Sequence, residues 1–216
     1  MRYLILSFLI PLCCPLNAQQ DPEARVILDR MAEKIKQYQS IQSDFSLIVV
    51  DHKENHKNTS KGSIIIKGDK YQVASGGTTV FFNGTTMWTY AEEDNEVTIT
   101  EPDSGNGDFL SNPANVFAFY NRDFKYLYRG ETTIDSTVMH EIDLFPRNLD
   151  QPYSRIKVFI AKNTGQLAIL SAVGKDGVDY SVFLKNMVTN KVFPDEVFTF
   201  EPAKHKKITV VDMRGL

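Results

Sequence analysis

Two histidines have the spacing of a metal site. His52 and His56 are four residues apart, which on a helix would place both imidazoles on one face, as in many zinc sites. Their surroundings do not predict a helix, because residues 51–59 are charged and rich in asparagine, and no third ligand stands out. Such a stretch between two apolar runs is typical of a solvated loop. We therefore expect a loop here, and no metal.

Residues that could act as acids, bases or nucleophiles form no recognisable catalytic set. The acidic turn from Glu92 to Glu96 lacks the spaced ligands and the central glycine of a calcium loop. His140 and Glu141 alternate in a strand-like run, and the chain has no Gly-x-Ser-x-Gly motif. The sequence therefore predicts a binding protein without a cofactor, and not an enzyme. A hydrolase with carboxylates brought together from distant strands is the enzymatic alternative.

Residues 1–18 predict a cleaved secretory signal peptide. Arg2 precedes an apolar run over residues 3–12, and Ala18 supplies the small residue of a cleavage site. The run is too short to span a membrane. Cleavage after Ala18 removes Cys13 and Cys14 and leaves residues 19–216 as a single domain. Lipidation of one of these cysteines is the alternative interpretation.

The charge balance argues against nucleic acid as a partner. The chain has 24 Lys and Arg residues against 27 Asp and Glu residues, a formal net charge of −3, whereas nucleic-acid-binding proteins normally have a clustered basic face. The densest basic cluster, Lys204 to Lys207, is short and typical of a solvated turn. The chain length suits one domain with a sizeable core.

Two helices are predicted, one at the start of the domain and one in its middle. Asp21 and Pro22 provide an N-cap and a proline at the first helical position. Apolar residues then recur at spacings of three and four to about residue 39. The second, shorter helical run follows Ser111-Asn112-Pro113, within residues 102–122, which interrupt the strand pattern. Each helix has an apolar stripe to bury.

Apolar and polar residues alternate over residues 45–100 and 124–186, and a last strand is predicted around Phe198 and Phe200. Asn83-Gly84 predicts a hairpin in which both residues have positive φ. Short strands with frequent turns predict a mainly β fold of the α+β class, in which helices cover an antiparallel sheet curved into an incomplete barrel.

We expect one face of this sheet and the apolar stripes of the helices to line a cavity. Burying each methylene of an acyl chain contributes about 0.8 kcal/mol, so a long chain could bind without any catalytic group. Ordinary core packing would produce the same periodicity. The predicted lining consists of Phe45, Leu47, Ile64, Ile66, Tyr71, Val73, Trp88, Tyr90, Val97, Ile99, Val116, Phe117 and Tyr120, together with Ile27, Met31 and Ile35 from the first helix.

Several segments resemble the periplasmic outer-membrane lipoprotein carriers, the LolA family. Residues 83–90, followed by 96–99, are similar to the family's segment with a glycine-x-x-x-tryptophan-x-tyrosine pattern. Residues 61–67 resemble its second strand, 112–117 the start of its inserted lid helix, and 198–212 its C-terminal strand and tail. The order and spacing of these segments hold over nearly all of residues 21–214.

The resemblance implies an unclosed β-barrel that is capped by helices and holds the acyl chains of a lipoprotein in a hydrophobic cavity. It also implies a monomer in the periplasm that takes cargo from an inner-membrane transporter and passes it to an outer-membrane receptor. The family commonly has an arginine after its second strand that holds the lid closed, and here Gly68 occupies that position. Lys67 is the candidate substitute, although lysine lacks the planar fork of arginine. A protein-binding sensor or scaffold on the same fold is the functional alternative.

Overall fold

The computed structural model describes residues 21–101 and 124–215. In these residues one α-helix, α1 (Pro22–Lys36), precedes a single open and strongly curved sheet of twelve strands. This confirms the predicted fold class. The predicted lid helix lies outside the described residues. The strands are β1 (Ile41–Asp51), β2 (His56–Lys67), β3 (Lys70–Ser75), β4 (Thr78–Phe82), β5 (Met87–Ala91), β6 (Glu96–Thr100), β7 (Phe124–Ile134), β8 (Thr137–Pro146), β9 (Tyr153–Ala161), β10 (Leu167–Gly174), β11 (Val178–Thr189) and β12 (Thr209–Asp212).

The twelve strands form one sheet whose order differs from their order in the sequence. The strand order runs β12-β6-β5-β4-β3-β2-β1-β11-β10-β9-β8-β7. All neighbouring pairs are antiparallel except β12 and β6, which are parallel. The antiparallel prediction therefore holds for eleven of the twelve strands, and β7 and β12 form the edges of the described sheet.

Helix α1 begins at the predicted N-cap. Asp21 Oδ1 accepts hydrogen bonds from the backbone of Glu23 at 2.9 Å and Ala24 at 3.3 Å, which satisfies N–H groups that the first helical turn leaves unpaired. Asp21 Oδ2 accepts a third bond, at 2.9 Å, from the backbone N–H of Tyr128 in β7. Partial burial opposes ionisation of Asp21, but the bonds from Tyr128, Ala24 and Glu23 outweigh it and lower the pKa of the carboxyl. The cap thus also fastens the helix to the sheet.

The apolar stripe of α1 packs into the main core. Ala24, Leu28, Met31 and Ala32 are buried on the helix. They belong to one cluster with Ile66 and other residues of the sheet, and Ile27 and Ile35 pack against that cluster. The helix therefore lies across the inside of the curved sheet.

The predicted loop over residues 51–59 is a short turn. Strand β1 continues to Asp51 and β2 begins at His56, so only four residues separate them. Asp51 Oδ1 accepts hydrogen bonds from the backbone of Lys53 and Glu54, and Asn55 adopts a φ of 48°. These bonds and this left-handed residue close the hairpin early, and the polar residues after it form part of β2.

The Asn83-Gly84 hairpin is present, but its geometry differs from the prediction. Residues 83–86 form a four-residue loop between β4 and β5, and of the two central residues only Gly84 has a positive φ, of 100°. Asn83 Oδ1 accepts hydrogen bonds from the backbone of Thr85 and Thr86 at 3.0 and 2.9 Å. The side chain of Asn83 thus organises the loop, so its own backbone does not need a left-handed conformation.

The predicted last strand is wrong. Asp195–Phe198 forms a 3-10 helix, and the last strand is β12, which contains neither Phe198 nor Phe200. We refer to residues 193–205 as the C-terminal cover. The alternation of Phe198 and Phe200 reflects two buried side chains in an irregular segment, with 0% and 4% exposure.

Candidate functional site

Strand register separates the sheet into two faces. Ile41 pairs with Ile66, Ile66 with Tyr71, and Tyr71 with Phe82. Directly paired residues project to the same side of a sheet, and all four belong to the core cluster that contains α1. We call this side the concave face and the opposite side the convex face.

Six of the predicted lining residues lie together on the concave face. They share this side because Phe45 pairs with Gly62, and Ile64 pairs with Val73. A methyl group at Gly62 would approach Cζ of Phe45 to 2.5 Å, so the ring occupies space that only glycine leaves free. The six residues are Phe45, Leu47, Ile64, Ile66, Tyr71 and Val73.

The other four predicted sheet residues lie on the convex face. Trp88 pairs with Phe81 and Ile99, and Tyr90 pairs with Val97, whereas Met87 pairs with the concave residue Phe82. The prediction that all ten share one face is therefore wrong for Trp88, Tyr90, Val97 and Ile99. On β5 and β6 the convex side chains are the more apolar set, so alternation alone assigned them to the face under the helix.

The C-terminal cover explains why the convex face is apolar here. The ring centroid of Phe200 lies 5.7 Å from that of Phe81 and 5.1 Å from that of Tyr90, and His205 stacks on Phe200 at 4.5 Å. Val97 is 0% exposed. This part of the sheet is thus covered on its convex side by the chain itself, and Trp88 lies on that covered side.

Lys67 also contacts the C-terminal cover on the convex face. Its Nζ donates to the carbonyl of Phe193 at 2.8 Å and to Asp195 Oδ1 at 2.9 Å, and Lys70 Nζ donates to Asp195 Oδ2 at 2.6 Å. Among the described residues, the ammonium group of Lys67 thus binds the C-terminal cover, and the hypothesis that Lys67 replaces the family's lid-holding arginine stays a prediction because the lid lies outside those residues. Gly68 lies in the turn between β2 and β3 with a φ of 58°.

The concave face extends beyond the residues that the sequence identified. Six further apolar side chains pack, partly buried, against the core cluster on this side. Their strands show the same two-residue period as β1 to β3, but the period does not reveal that the sheet curves and brings β7 and β11 over the same helix. These residues are Val80, Met87, Tyr128, Tyr180, Leu184 and Met187.

A cleft of about 390 Å³ lies between α1 and strands β8 and β9. Ile27 and Met31 of the helix and Ile160 of β9 contribute apolar surface to it. Lys34 Nζ donates across it to the carbonyl of Thr164. The helix therefore packs incompletely on this side and is held there by a polar contact.

His52 and His140 each contact one side chain of a neighbouring element. His52 Nε2 lies 2.9 Å from Asp179 Oδ2, and His140 Nδ1 lies 2.9 Å from the hydroxyl of Tyr128. Within residues 21–101 and 124–215, no group of three or more His, Cys, Asp or Glu residues could hold a metal ion. In the same part of the chain, no helix combines the length and apolar character needed to cross a membrane.

The sequence matches one known protein family over more than half of its length. The family described as outer membrane lipoprotein carrier protein LolA matches residues 15–129, more than half of the chain. The chain belongs to the LolA family. The suspected resemblance is therefore confirmed. The matched region contains α1 and strands β1 to β6.

Several solved structures are similar to this chain. An uncharacterized conserved protein from Thermus thermophilus aligns with 88% of this chain and 99% of its own, at 11% identity and a TM-score of 0.57. A LolA superfamily protein from Nitrosomonas europaea aligns with 82% of this chain and 97% of its own, at 11% identity and a TM-score of 0.43. MucB in complex with MucA from Pseudomonas aeruginosa aligns with 87% of this chain and 64% of its own, at 14% identity and a TM-score of 0.41. No curated protein sequence matches significantly.

The remaining predicted lining residues fall in the inserted segment. Val116, Phe117 and Tyr120 lie outside the described residues. The candidate site consists of the concave face, with its six predicted and six further apolar residues, and the helix side chains Ile27, Met31 and Ile35 that pack against the same core.

Proposed function

We propose that this protein is a periplasmic carrier that binds the acyl chains of lipoproteins, or of related lipids, between the concave face and α1. It would shuttle them from the inner to the outer membrane. Membership of the LolA family supports this role. The proposed partners are an inner-membrane releasing transporter and an outer-membrane receptor, and the proposed route of export is the signal peptide in residues 1–18. Binding requires no catalytic residue or cofactor.

One observation carries the proposal: the concave face holds apolar side chains that remain only half-buried. Phe45, Leu47, Val73 and Val80 are on this face and are of intermediate exposure, next to the buried Ile64. In a protein interior, apolar side chains of this size are normally buried completely. Half-buried apolar surface inside a curved sheet gains free energy when an acyl chain covers it, by about 25 cal/mol per Å².

Adjacent residues of β1 provide a matched test of this surface. Leu47 pairs with Val182 and lies on the concave face, whereas Ile48 pairs with Ser181 and lies on the convex face. Both are aliphatic and of intermediate exposure. We expect Leu47→Gln to weaken binding of a fluorescent fatty-acyl probe about fivefold or more, since losing roughly 1 kcal/mol of apolar contact has that effect. Ile48→Gln should leave the affinity unchanged.

Equal effects of the two substitutions would contradict binding on the concave face. A wider test is mass spectrometry of lipids bound to protein purified from its native periplasm, combined with release of lipoproteins from inner membranes by the purified protein. If the protein carries no acylated molecule and releases none, the carrier function is wrong. Capture of one stable protein partner by such a lipid-free protein would instead indicate the sensor or scaffold function.

A further inference from the structure

The concave face changes from aliphatic to hydroxyl-bearing between β4 and β5. Val73 of β3 pairs with Val80 of β4, Val80 pairs with Thr89 of β5, and Thr89 pairs with Thr98 of β6. Thr100 lies two residues beyond Thr98 and projects to the same side. On β4, Thr78 lies two residues from Val80 in the same way. We call Thr78, Thr89, Thr98 and Thr100 the hydroxyl patch.

Three hydroxyls of this patch have no hydrogen-bond partner among the described residues. Thr78, Thr89 and Thr98 are half-buried, and their side chains make no hydrogen bond with another described residue. Ser75 differs, because its hydroxyl donates to the carbonyl of Lys61 at 3.1 Å. A hydroxyl that is withdrawn from water without a partner is unfavourable, so a ligand that displaces water from this patch binds well only if it supplies hydrogen-bond partners.

Thr100 adds a second, independent indication. Its Oγ1 is buried and has no hydrogen-bond partner in the described part of the chain. Native proteins pair most buried polar atoms, and an unpaired one calls for an explanation such as a missing ligand or water. Thr100 pairs with Met87, so this atom lies where the apolar surface of the concave face meets the hydroxyl patch.

The patch favours an uncharged polar group. On the concave side of β2 to β6, the described residues include one carboxylate, Glu96, and no lysine or arginine. Hydroxyls can both donate and accept, which suits esters, amides and alcohols. Among these described strand residues, an anionic headgroup would find no lysine or arginine to offset its loss of hydration.

We propose that the hydroxyl patch is a specificity-determining site for the polar part of the cargo. An acyl amphiphile would lie across the strands, with its chain against Ile64, Val73 and Val80 and its ester or hydroxyl groups against Thr89 and Thr98. Four strand spacings, from β2 to β6, span about 19 Å, which accommodates an extended amphiphile. The inference rests on the proposed carriage of acyl chains and assigns a direction to the cargo and a preference for uncharged acyl esters over free fatty acids.

The experiment compares two probes with the same chain, 1-monopalmitoylglycerol and palmitate. Thr89→Val with Thr98→Val removes two hydroxyls and keeps side-chain shape. The matched control is Thr79→Val on β4, because Thr79 pairs with Tyr90 and lies on the convex face. Dissociation constants are measured by competition with a fluorescent fatty-acyl probe.

The wild-type protein should bind monopalmitoylglycerol more tightly than palmitate. The double variant should lose about tenfold in affinity for monopalmitoylglycerol, as expected for the loss of one or two hydrogen bonds, and should bind palmitate within about twofold of wild type. The retained palmitate binding shows that the variant is folded. Thr79→Val should change neither affinity.

Two results would overturn the inference while the carrier function stands. In the first, the double variant binds both probes as the wild type does. In the second, it loses affinity for both probes equally, so the patch contributes no selectivity for the polar group. A wild-type protein that binds neither probe overturns the inference together with the proposed carrier function.

Discussion

Asp143 is the residue whose environment is least apparent from the sequence. It alternates between Ile142 and Leu144 in β8, so the pattern predicts an exposed polar side chain, yet it is 1% exposed. Its Oδ2 accepts hydrogen bonds from Arg129 Nε at 2.7 Å and Arg155 Nη1 at 3.2 Å. A β-bulge between Tyr128 and Gly130 contains Arg129, and bulges commonly redirect a side chain in this way. The two guanidinium groups thus cover a carboxylate on the convex face.

Either Arg129 or Arg155 alone should suffice to provide a cation for the buried carboxylate of Asp143. Arg129→Met or Arg155→Met alone leaves one cation on Asp143 and should reduce the free energy of unfolding by about 1 kcal/mol, the net contribution of one hydrogen bond. The double variant leaves a buried carboxylate without a cation and should cost about 3–5 kcal/mol. Urea denaturation measures the free energy of unfolding of the two single variants and the double variant. An effect of the pair that equals the sum of the singles would show that the arginines act independently.

Arg25→Met is the control for these substitutions. Arg25 also pairs with an aspartate, Asp29 Oδ2 at 3.4 Å, but the two side chains are 65% and 42% exposed. Exposed pairs of this kind contribute little. Its loss should change the free energy of unfolding by less than about 0.5 kcal/mol. A large loss in this variant would mean that charge number, and not burial of Asp143, determines the result.

At the scale of elements, the C-terminal cover makes a testable contribution to stability. Phe200 is 4% exposed and contacts Phe81, Tyr90 and His205. Phe200→Ala should lower the free energy of unfolding by about 3 kcal/mol through lost contacts and a cavity, and should shift Trp88 emission to longer wavelength. Val192, just before the cover, is 88% exposed, and Val192→Ala should do neither. Unchanged Trp88 emission in Phe200→Ala would contradict the assignment of Trp88 to the covered convex face.

The ion pairs that hold this cover should weaken in acid. Hydrogen bonds from the ammonium groups of Lys70 and Lys67 lower the pKa of Asp195 from its ordinary value of 3.8 to about 2. Because the folded-state pKa is lowered, the stabilisation is present above about pH 4 and is lost as the pH falls through about 2. Asp195→Asn should therefore melt below wild type at about pH 5, and the difference should shrink between about pH 4 and pH 2.

Thermal unfolding at a series of pH values from about 5 to about 2 measures this difference. Asp150→Asn, an exposed aspartate in the turn after β8, is the control and should show no gap that closes with acid. If the gap between Asp195→Asn and wild type stays constant down to about pH 2, the two lysines do not stabilise the ionised carboxylate.

Short sequence signals predicted where helices and strands occur. They could not predict which strands pair or which face of a strand is covered by the helix. Asp21-Pro22 gave the start of α1, and the alternation over residues 124–186 gave strands in that range, of which β10 (Leu167–Gly174) is one. The period failed at Phe198 and Phe200, since a 3-10 turn followed by an extended residue buries alternate side chains as a strand does. It also placed Trp88 on the wrong face, because alternation defines two faces without saying which one the helix covers.

At the scale of the whole molecule, α1 joins two halves of one sheet. Strands β1 to β6 lie on one side of the strand order and β7 to β11 on the other. Residues of both halves, such as Ile66 and Ile142, belong to one core cluster with Leu28 of the helix. The sequence predicted a curved sheet under helices from turn frequency and strand length. The strand order depends on contacts between distant residues, and only a three-dimensional structure supplies it.

This arrangement predicts cooperative unfolding through α1. Leu28 is 0% exposed, and Leu28→Ala should remove about 2–5 kcal/mol from the free energy of unfolding. Because both halves pack on the helix, Trp88 fluorescence, which reports on β5, and far-UV circular dichroism, which reports on all strands, should shift to the same lower urea midpoint. Val26→Ala, at a helix position that is 53% exposed, should leave both midpoints in place. Separate midpoints for the two signals in Leu28→Ala would show that the halves fold independently, and α1 would then be a cover on one half and not the link between them.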